Sequence, residues 1–278
     1  MRMSYLWGIV PALVVLNVGA AEAQLVSYYV MNETSGALAD SVGGVTMTPQ
    51  NAAGFTYGAP SVPAGTYGAI TLTPAQAAAF GTAITGDGTS TFNNSTSNNA
   101  LNSLAAPMTV MAWIKPVGLV GIQRVISGSG GDGNGWGYGI LASGNQRYTT
   151  YGVTDYDQQV GATVQAGAWQ HVAVTFTGTT ANIYLNGNLV DTRTGGNFAA
   201  NTSEVFALFG QGDAGATERF TGTIDDVRVY STVLTQPQIV AAAMTPVPEP
   251  SCLVLLGFCA LGLLARRRRP PEPPPTTP

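Results

Sequence analysis

The sequence predicts an all-β fold over residues 24–246: a sandwich of two antiparallel sheets, with one short helix near its C-terminal end. Three observations point there. Apolar residues alternate with polar ones in short runs, the period of a half-buried strand. Glycine, serine, threonine and asparagine punctuate the chain at short intervals, as tight turns between short strands require. No cysteine falls between residues 24 and 246, so the core must hold without disulfides, and a single domain of that length buries enough surface to do so.

The elements follow in order. "MTVMAWIK", Met108 to Lys115, alternates around Val110, Ala112 and Ile114. The glycine-rich "SGSGGDGNGWGYGI", Ser127 to Ile140, invites a phosphate-loop reading, but no Lys-Ser/Thr and no helix follow it. It reads instead as a hairpin between two strands. Trp136 and Tyr138 are two apart and so share a face, either in the core or as a platform for a sugar ring. "WQHVAVTF", Trp169 to Phe176, and "ANIYLNGNLVDTR", Ala181 to Arg193, come next. In the latter Ile183 and Leu185 point one way and Asn186-Gly187 signals a tight hairpin. "EVFALFG" (Glu204 to Gly210) and "RFTGTIDDVRVY" (Arg219 to Tyr230) complete the strands. "LTQPQIVAAAM" reads as the helix, with Thr235 as its N-cap and Pro237 in its first turn.

The two chain ends have a different character. "MRMSYLWGIVPALVVLNVGAAEAQ" has one early positive charge, an apolar stretch and an Ala21-Glu22-Ala23 cleavage pattern, which marks residues 1–23 as a secretory signal peptide. Its alternative, an uncleaved anchor helix, is opposed by Pro11 and the cleavage pattern. At the other end, Ser251 to Ala265 is apolar and precedes four arginines. Fifteen residues make a helix of about 22 Å, short against a hydrocarbon layer of about 30 Å. Arg2 and Arg266 to Arg269 would both stay on the cytoplasmic side, so that everything between is exported. Residues 270–278 form a Pro-rich extension that cannot be helical. Cys252 and Cys259 are small apolar members of the membrane segment.

Charge in the domain is sparse: 12 Asp plus Glu against 6 Lys plus Arg over residues 24–246. No basic patch exists, which argues against nucleic acid as a partner.

Pro248-Glu249-Pro250, the apolar segment 251–265 and the cluster Arg266, Arg267, Arg268 and Arg269 together resemble the PEP-CTERM sorting signal, here residues 247–269. The resemblance implies an exosortase-type membrane processing enzyme as partner. It also implies transient anchoring in the inner membrane of a Gram-negative bacterium, then a place at the cell surface or in the extracellular matrix of a biofilm.

The domain resembles the laminin-G-like group of concanavalin A-like jelly rolls. "YYVMNETSGALADSVGG" (Tyr28 to Gly44), "TGDGTSTF" (Thr85 to Phe92), "PMTVMAWIKP" (Pro107 to Pro116), the Trp169-x-His171-Val172 hairpin and "FTGTIDDVRVYSTVLTQPQI" carry the likeness in the family's order. Gly54 to Gln76 matches poorly and reads as an enlarged loop.

Glycosidases on this fold carry closely spaced carboxylates on one strand, and glycoside hydrolysis needs such a pair. Glu33, Glu204 and Glu218 each lack a carboxylate at alternating positions, and His171 is the only histidine. These absences point to a non-catalytic protein that binds glycan or exopolysaccharide, the alternative being an enzyme with an unrecognised site. The ligand-binding candidates are Tyr148, Tyr151 and Tyr156 in "QRYTTYGVTDYDQQ", and Trp136. The three tyrosines are either an exposed sugar-binding surface or ordinary edge-strand residues. By resemblance Asp225 is a candidate ligand for a structural calcium ion, with Asp40 as a second. Asp225 could instead cap a turn or pair with Arg228 or Arg124, and Asp226 would face the opposite way on a regular strand.

Overall fold

The computed structural model describes residues 25–94, 101, 104–129, 134–199, 205–212 and 217–246. The predicted signal peptide, Pro248-Glu249-Pro250, the predicted membrane segment, Arg266 to Arg269 and the Pro-rich tail lie outside the described residues.

Among the described residues the chain forms β1 (Leu25–Tyr29), β2 (Met47–Pro49), β3 (Phe55–Pro60), β4 (Gly65–Tyr67), β5 (Ile70–Leu72), helix α1 (Pro74–Phe80), β6 (Thr82–Asp87) and β7 (Phe92–Asn94). There follow β8 (Met108–Pro116), β9 (Ile122–Ser129), β10 (Gly135–Leu141), β11 (Gln146–Thr150), β12 (Thr154–Asp157) and β13 (Gln170–Phe176). The last elements are β14 (Thr180–Leu185), β15 (Asn188–Thr194), β16 (Val205–Leu208), β17 (Thr221–Tyr230) and helix α2 (Gln236–Ala243).

Two large antiparallel sheets result. The back sheet has the order β15-β14-β13-β8-β17-β6-β3, with β1 also paired to β17. The front sheet has the order β12-β11-β10-β9-β16-β7-β2. Their facing sides enclose one core, to which Val110, Ala112, Ile114, Trp136, Tyr148, Phe176, Ile183, Phe206 and Ile224 contribute. This is the two-sheet jelly-roll sandwich expected.

β8 is buried along its whole length except for Lys115. Its inward residues meet the core, while Met111 and Trp113 are covered on the outside by α2 and the β4–β5 hairpin. The Trp113 indole N–H donates to the Ala243 carbonyl at 3.1 Å, which satisfies the polar edge of a fully buried ring. The Asn186-Gly187 hairpin forms with φ of 51° and 76°, both left-handed, as a tight two-residue turn requires. At the start of α2 the Thr235 N–H and hydroxyl both reach Gln238 Oε1, at 2.8 Å each.

Two expectations change. The poorly matching stretch is not a plain loop: it supplies edge strand β3, the β4–β5 hairpin and α1, a second helix capped by Thr73 and Gln76. Strand β17 is not regular either. Between Asp225 and Arg228 a bulge intervenes, with Asp226 at φ 52°. Asp226 therefore does not face away from its neighbours, but turns its carboxylate to Arg228 at 2.8 Å.

Candidate functional site: the outer face of the front sheet

Alternation along the front sheet sorts its residues cleanly. Trp136, Tyr138, Tyr148 and Tyr156 all point inward and are at most 1% exposed. Tyr148 faces Tyr156 across the β11–β12 pair, and both rings pack on Phe176. The Tyr156 hydroxyl donates to the Gly196 carbonyl at 2.7 Å. Trp136, Tyr148 and Tyr156 are thus core residues, not a sugar-stacking surface, because their even-numbered positions share the buried side of their strands.

On β10, β11 and β12 the odd-numbered positions lie outside, and a shift of register in β9 brings Arg124 to the same side. Gly139, Arg124, Arg147 and Asp157 form one row across β10, β9, β11 and β12, and Gly137, Thr149 and Asp155 form the next. Tyr151 follows β11 and is the only one of the four predicted aromatic residues that reaches this face. A Cβ on Gly137 would run into its hydroxyl and lie 3.0 Å from Cζ. The missing side chain of Gly137 is what lets the Tyr151 ring lie over β10. The Arg124 guanidinium sits 5.5 Å from the ring centroid.

The charged groups are linked in a chain. Arg124 Nε donates to Glu218 at 2.6 Å, and its Nη1 donates to Thr149 Oγ1 at 2.8 Å. The Thr149 hydroxyl donates to Asp155 at 2.7 Å. Arg147 meets Asp155 at 3.0 Å and holds Asp157 in a two-point fork at 2.5 and 2.7 Å. The fork to Asp157, aided by the fields of Asp155 and Glu218, raises the pKa of Arg147 further above its ordinary value. Two guanidinium groups thus stand among three carboxylates. Beside Glu218 an open cavity of about 460 Å³ is lined by Gly88, Val120, Gly121, Ile122, Thr217, Arg219 and Thr221.

Sequence reading missed Arg124, Arg147, Thr149 and Glu218. For β11 the signal was present: "QRYTT" alternates, so Arg147 and Thr149 must oppose Tyr148. Glu218 precedes β17 and reaches Arg124 only through the tertiary fold.

The two calcium candidates do not come together as ligands. Asp40 is filled by the protein's own donors: Ser27 Oγ at 2.6 Å, and the N–H groups of Tyr28, Val42 and Gly43 at 2.9–3.0 Å. Asp225 is fully buried and accepts from the Ser61 hydroxyl. It pairs with neither Arg228 nor Arg124, which hold Asp226 and Glu218 instead. Burial, with Asp226 nearby, pushes its carboxyl well above the usual range. Among the described residues no group of three or more His, Cys, Asp or Glu could hold a metal ion. The Asp40 and Asp225 carboxylates are thus held by separate sets of donors, and Asp225 Oδ1 has no hydrogen-bond partner among the described residues. His171 is likewise buried, edge-on to Trp113 at 5.2 Å. Desolvation, with Arg228 adding to it, lowers its pKa to about 3, so the ring is neutral.

A family model described as the concanavalin A-like lectin/glucanases superfamily matches residues 86–240, more than half of the chain. The chain belongs to this superfamily. A model of the PEP-CTERM protein-sorting motif matches residues 246–269, which implies exosortase processing and a surface or extracellular destination. No curated protein matches the chain. Among solved structures, concanavalin A-like resemblance extends to domain 4 of an extracellular arabinanase from Geobacillus stearothermophilus, solved with arabinotriose. It is 21% identical, with a TM-score of 0.51, and covers 79% of this chain and 98% of that one. A Trypanosoma rangeli sialidase is 13% identical at a TM-score of 0.53, covering 80% of this chain and 32% of that one. The binding domain of botulinum neurotoxin DC, solved with a sialylated ligand, is 15% identical at a TM-score of 0.50, with coverage of 79% and 50%. These likenesses are of fold; this chain spans about a third to a half of the latter two proteins.

Proposed function

We propose that the exported domain binds polysaccharide on the outer face of its front sheet and does not cleave it. The observation that carries the reading is the hydrogen-bonded strip from Glu218 through Arg124, Thr149, Asp155 and Arg147 to Asp157, with Tyr151 lying beside it over Gly137. A sugar ring offers hydroxyls to such a strip and an apolar face to an aromatic ring. Both guanidinium groups already hold carboxylates, so the strip favours uncharged glycans over anionic ones. The same pairing argues against hydrolysis. Both Asp157 oxygens turn to Arg147, and those of Asp155 to Thr149 and Arg147. A glycosidase needs its two carboxyl groups aimed at one shared bond. The likeness in fold to a domain solved with arabinotriose is in keeping with the proposal. One ring stacking contributes on the order of 1 kcal/mol, so each site binds weakly and many copies in a matrix act by avidity.

Electrophoresis through gels loaded with the host's exopolysaccharide, arabinan or β-glucan tests this. The wild-type domain should be retarded, while Tyr151→Ala and Arg147→Ala should migrate freely. Equal retardation of all three would move the site elsewhere, and release of reducing ends would overturn the non-catalytic reading.

A further inference from the structure

The last described residues are fastened to the outer face of the back sheet. Trp113 holds the Ala243 carbonyl, and Arg228 Nη2 donates to the Thr245 carbonyl at 2.7 Å. Arg228 is itself buried and paired with Asp226. Ile239 packs against Tyr28, Met111 and Tyr184, and Ala243 against Trp113. The chain therefore leaves the domain from the middle of that face, on the side away from the strip. From Thr245 to Ser251, where the apolar segment starts, six residues span at most about 22 Å.

The surface around this exit has a second property. The segments that cover it, residues 60–81 and 231–246, contain no Asp, Glu, Lys, Arg or His. Their exposed positions are alanine, threonine, glutamine, glycine, serine, valine and proline. The Asp225, Asp226 and Arg228 side chains beneath are sealed at 2% exposure or less. In a domain with 12 acidic and 6 basic residues, this side can approach anionic headgroups without the repulsion that surface carboxylates would meet.

We infer that the outer face of the back sheet, with α1, the β4–β5 hairpin and α2, lies against the lipid bilayer while the sorting segment is still attached. The inference rests on residues 251–265 being membrane-inserted, not on the glycan reading. The glycan strip then points away from the membrane and is open before the tail is cut. Processing frees the domain but is not needed to uncover its site.

The test uses the full chain with Cys252→Ser and Cys259→Ser, reconstituted in phosphatidylethanolamine–phosphatidylglycerol vesicles that contain nitroxide-headgroup lipid. Single cysteines at Ala78→Cys and Ala241→Cys on the back, and Thr48→Cys on the front, carry a fluorophore. Most of the fluorescence should be lost at Ala78→Cys and Ala241→Cys and little at Thr48→Cys. Equal loss at all three, or greater loss at Thr48→Cys, would overturn the orientation. Glycan retention, measured separately, stands or falls on its own.

Discussion

His171→Phe should remove an acid sensitivity that a single buried ring imposes on the whole domain. His171 is fully buried, and neither ring nitrogen has a hydrogen-bond partner among the described residues. Its pKa falls from 6.5 to about 3 on folding. The unfolded chain takes up a proton below pH 6.5 and the folded chain does not until about pH 3, so acidification favours unfolding across that window. Stability from this ring is therefore whole above pH 6.5 and is lost progressively as pH falls toward 3. Between pH 7.5 and 4.5 the loss is about 2–3 kcal/mol. For a domain of this size that corresponds to roughly 5–10 °C in Tm. Phenylalanine is larger than histidine by about one methylene, a packing cost that is the same at every pH, and it forfeits no hydrogen bond. Urea unfolding of both proteins at pH 7.5, 6.0 and 4.5 isolates the effect, because every other titration is common to the two. The gap should widen by about 2–3 kcal/mol in favour of the variant as pH drops. Parallel pH dependence in the two proteins would refute the reasoning.

Asp225 has the opposite sign. Its carboxyl is raised on folding, so its contribution is full below about 3.8 and is lost as pH rises; Asp225→Asn should gain on the wild type from pH 4 to 8 in thermal melts. Gly137→Ala should displace Tyr151 and reduce polysaccharide retention several-fold while costing no more than about 1–3 kcal/mol in stability, since the contact is with a movable side chain. Gly139→Ala should cost at least as much in chemical denaturation without touching Tyr151, because its Cβ would meet the rigid Gln123 backbone. A chelator should leave the Tm unchanged, as Asp40 is saturated by N–H donors and Asp225 is sealed against Ser61; a fall in Tm restored by calcium would show a site that these carboxylates do not explain.

Much of the fold was readable because its signals are local. Alternation in "MTVMAWIK" and "WQHVAVTF", the Asn186-Gly187 turn and the Thr235 cap each act within a few residues. The site was readable only in part. The stretch Tyr148 to Gln159 supplies part of the proposed strip, but proximity in sequence says nothing of the side of the strand each tyrosine occupies. Two of the three belong to the core. The polar partners Arg147, Thr149, Asp155 and Asp157 share Tyr151's side and follow from the same rule. Arg124 and Glu218 arrive from distant strands and loops, and no local pattern announces a contact 94 residues apart. The β4–β5 hairpin and α1 escaped because elements of three and seven residues are too short to show a period, and their apolar residues pack on the outside of a sheet instead of between the two.

The bulge at Asp226 makes chain length in β17 as consequential as its composition. Before it, Ile224 fills the core; after it, Val227 and Val229 do. A gap of three where two would be regular means the strand changes reading frame midway. Deleting Asp226 would restore a simple alternation with Ile224, Val227 and Val229 still facing the core, yet it would leave the buried Arg228 without its carboxylate partner. The extra residue of "IDDVRVY" therefore serves the buried ion pair and not the alternation, and exchanging Asp226 for a side chain that cannot hold Arg228 should do the same damage as removing it.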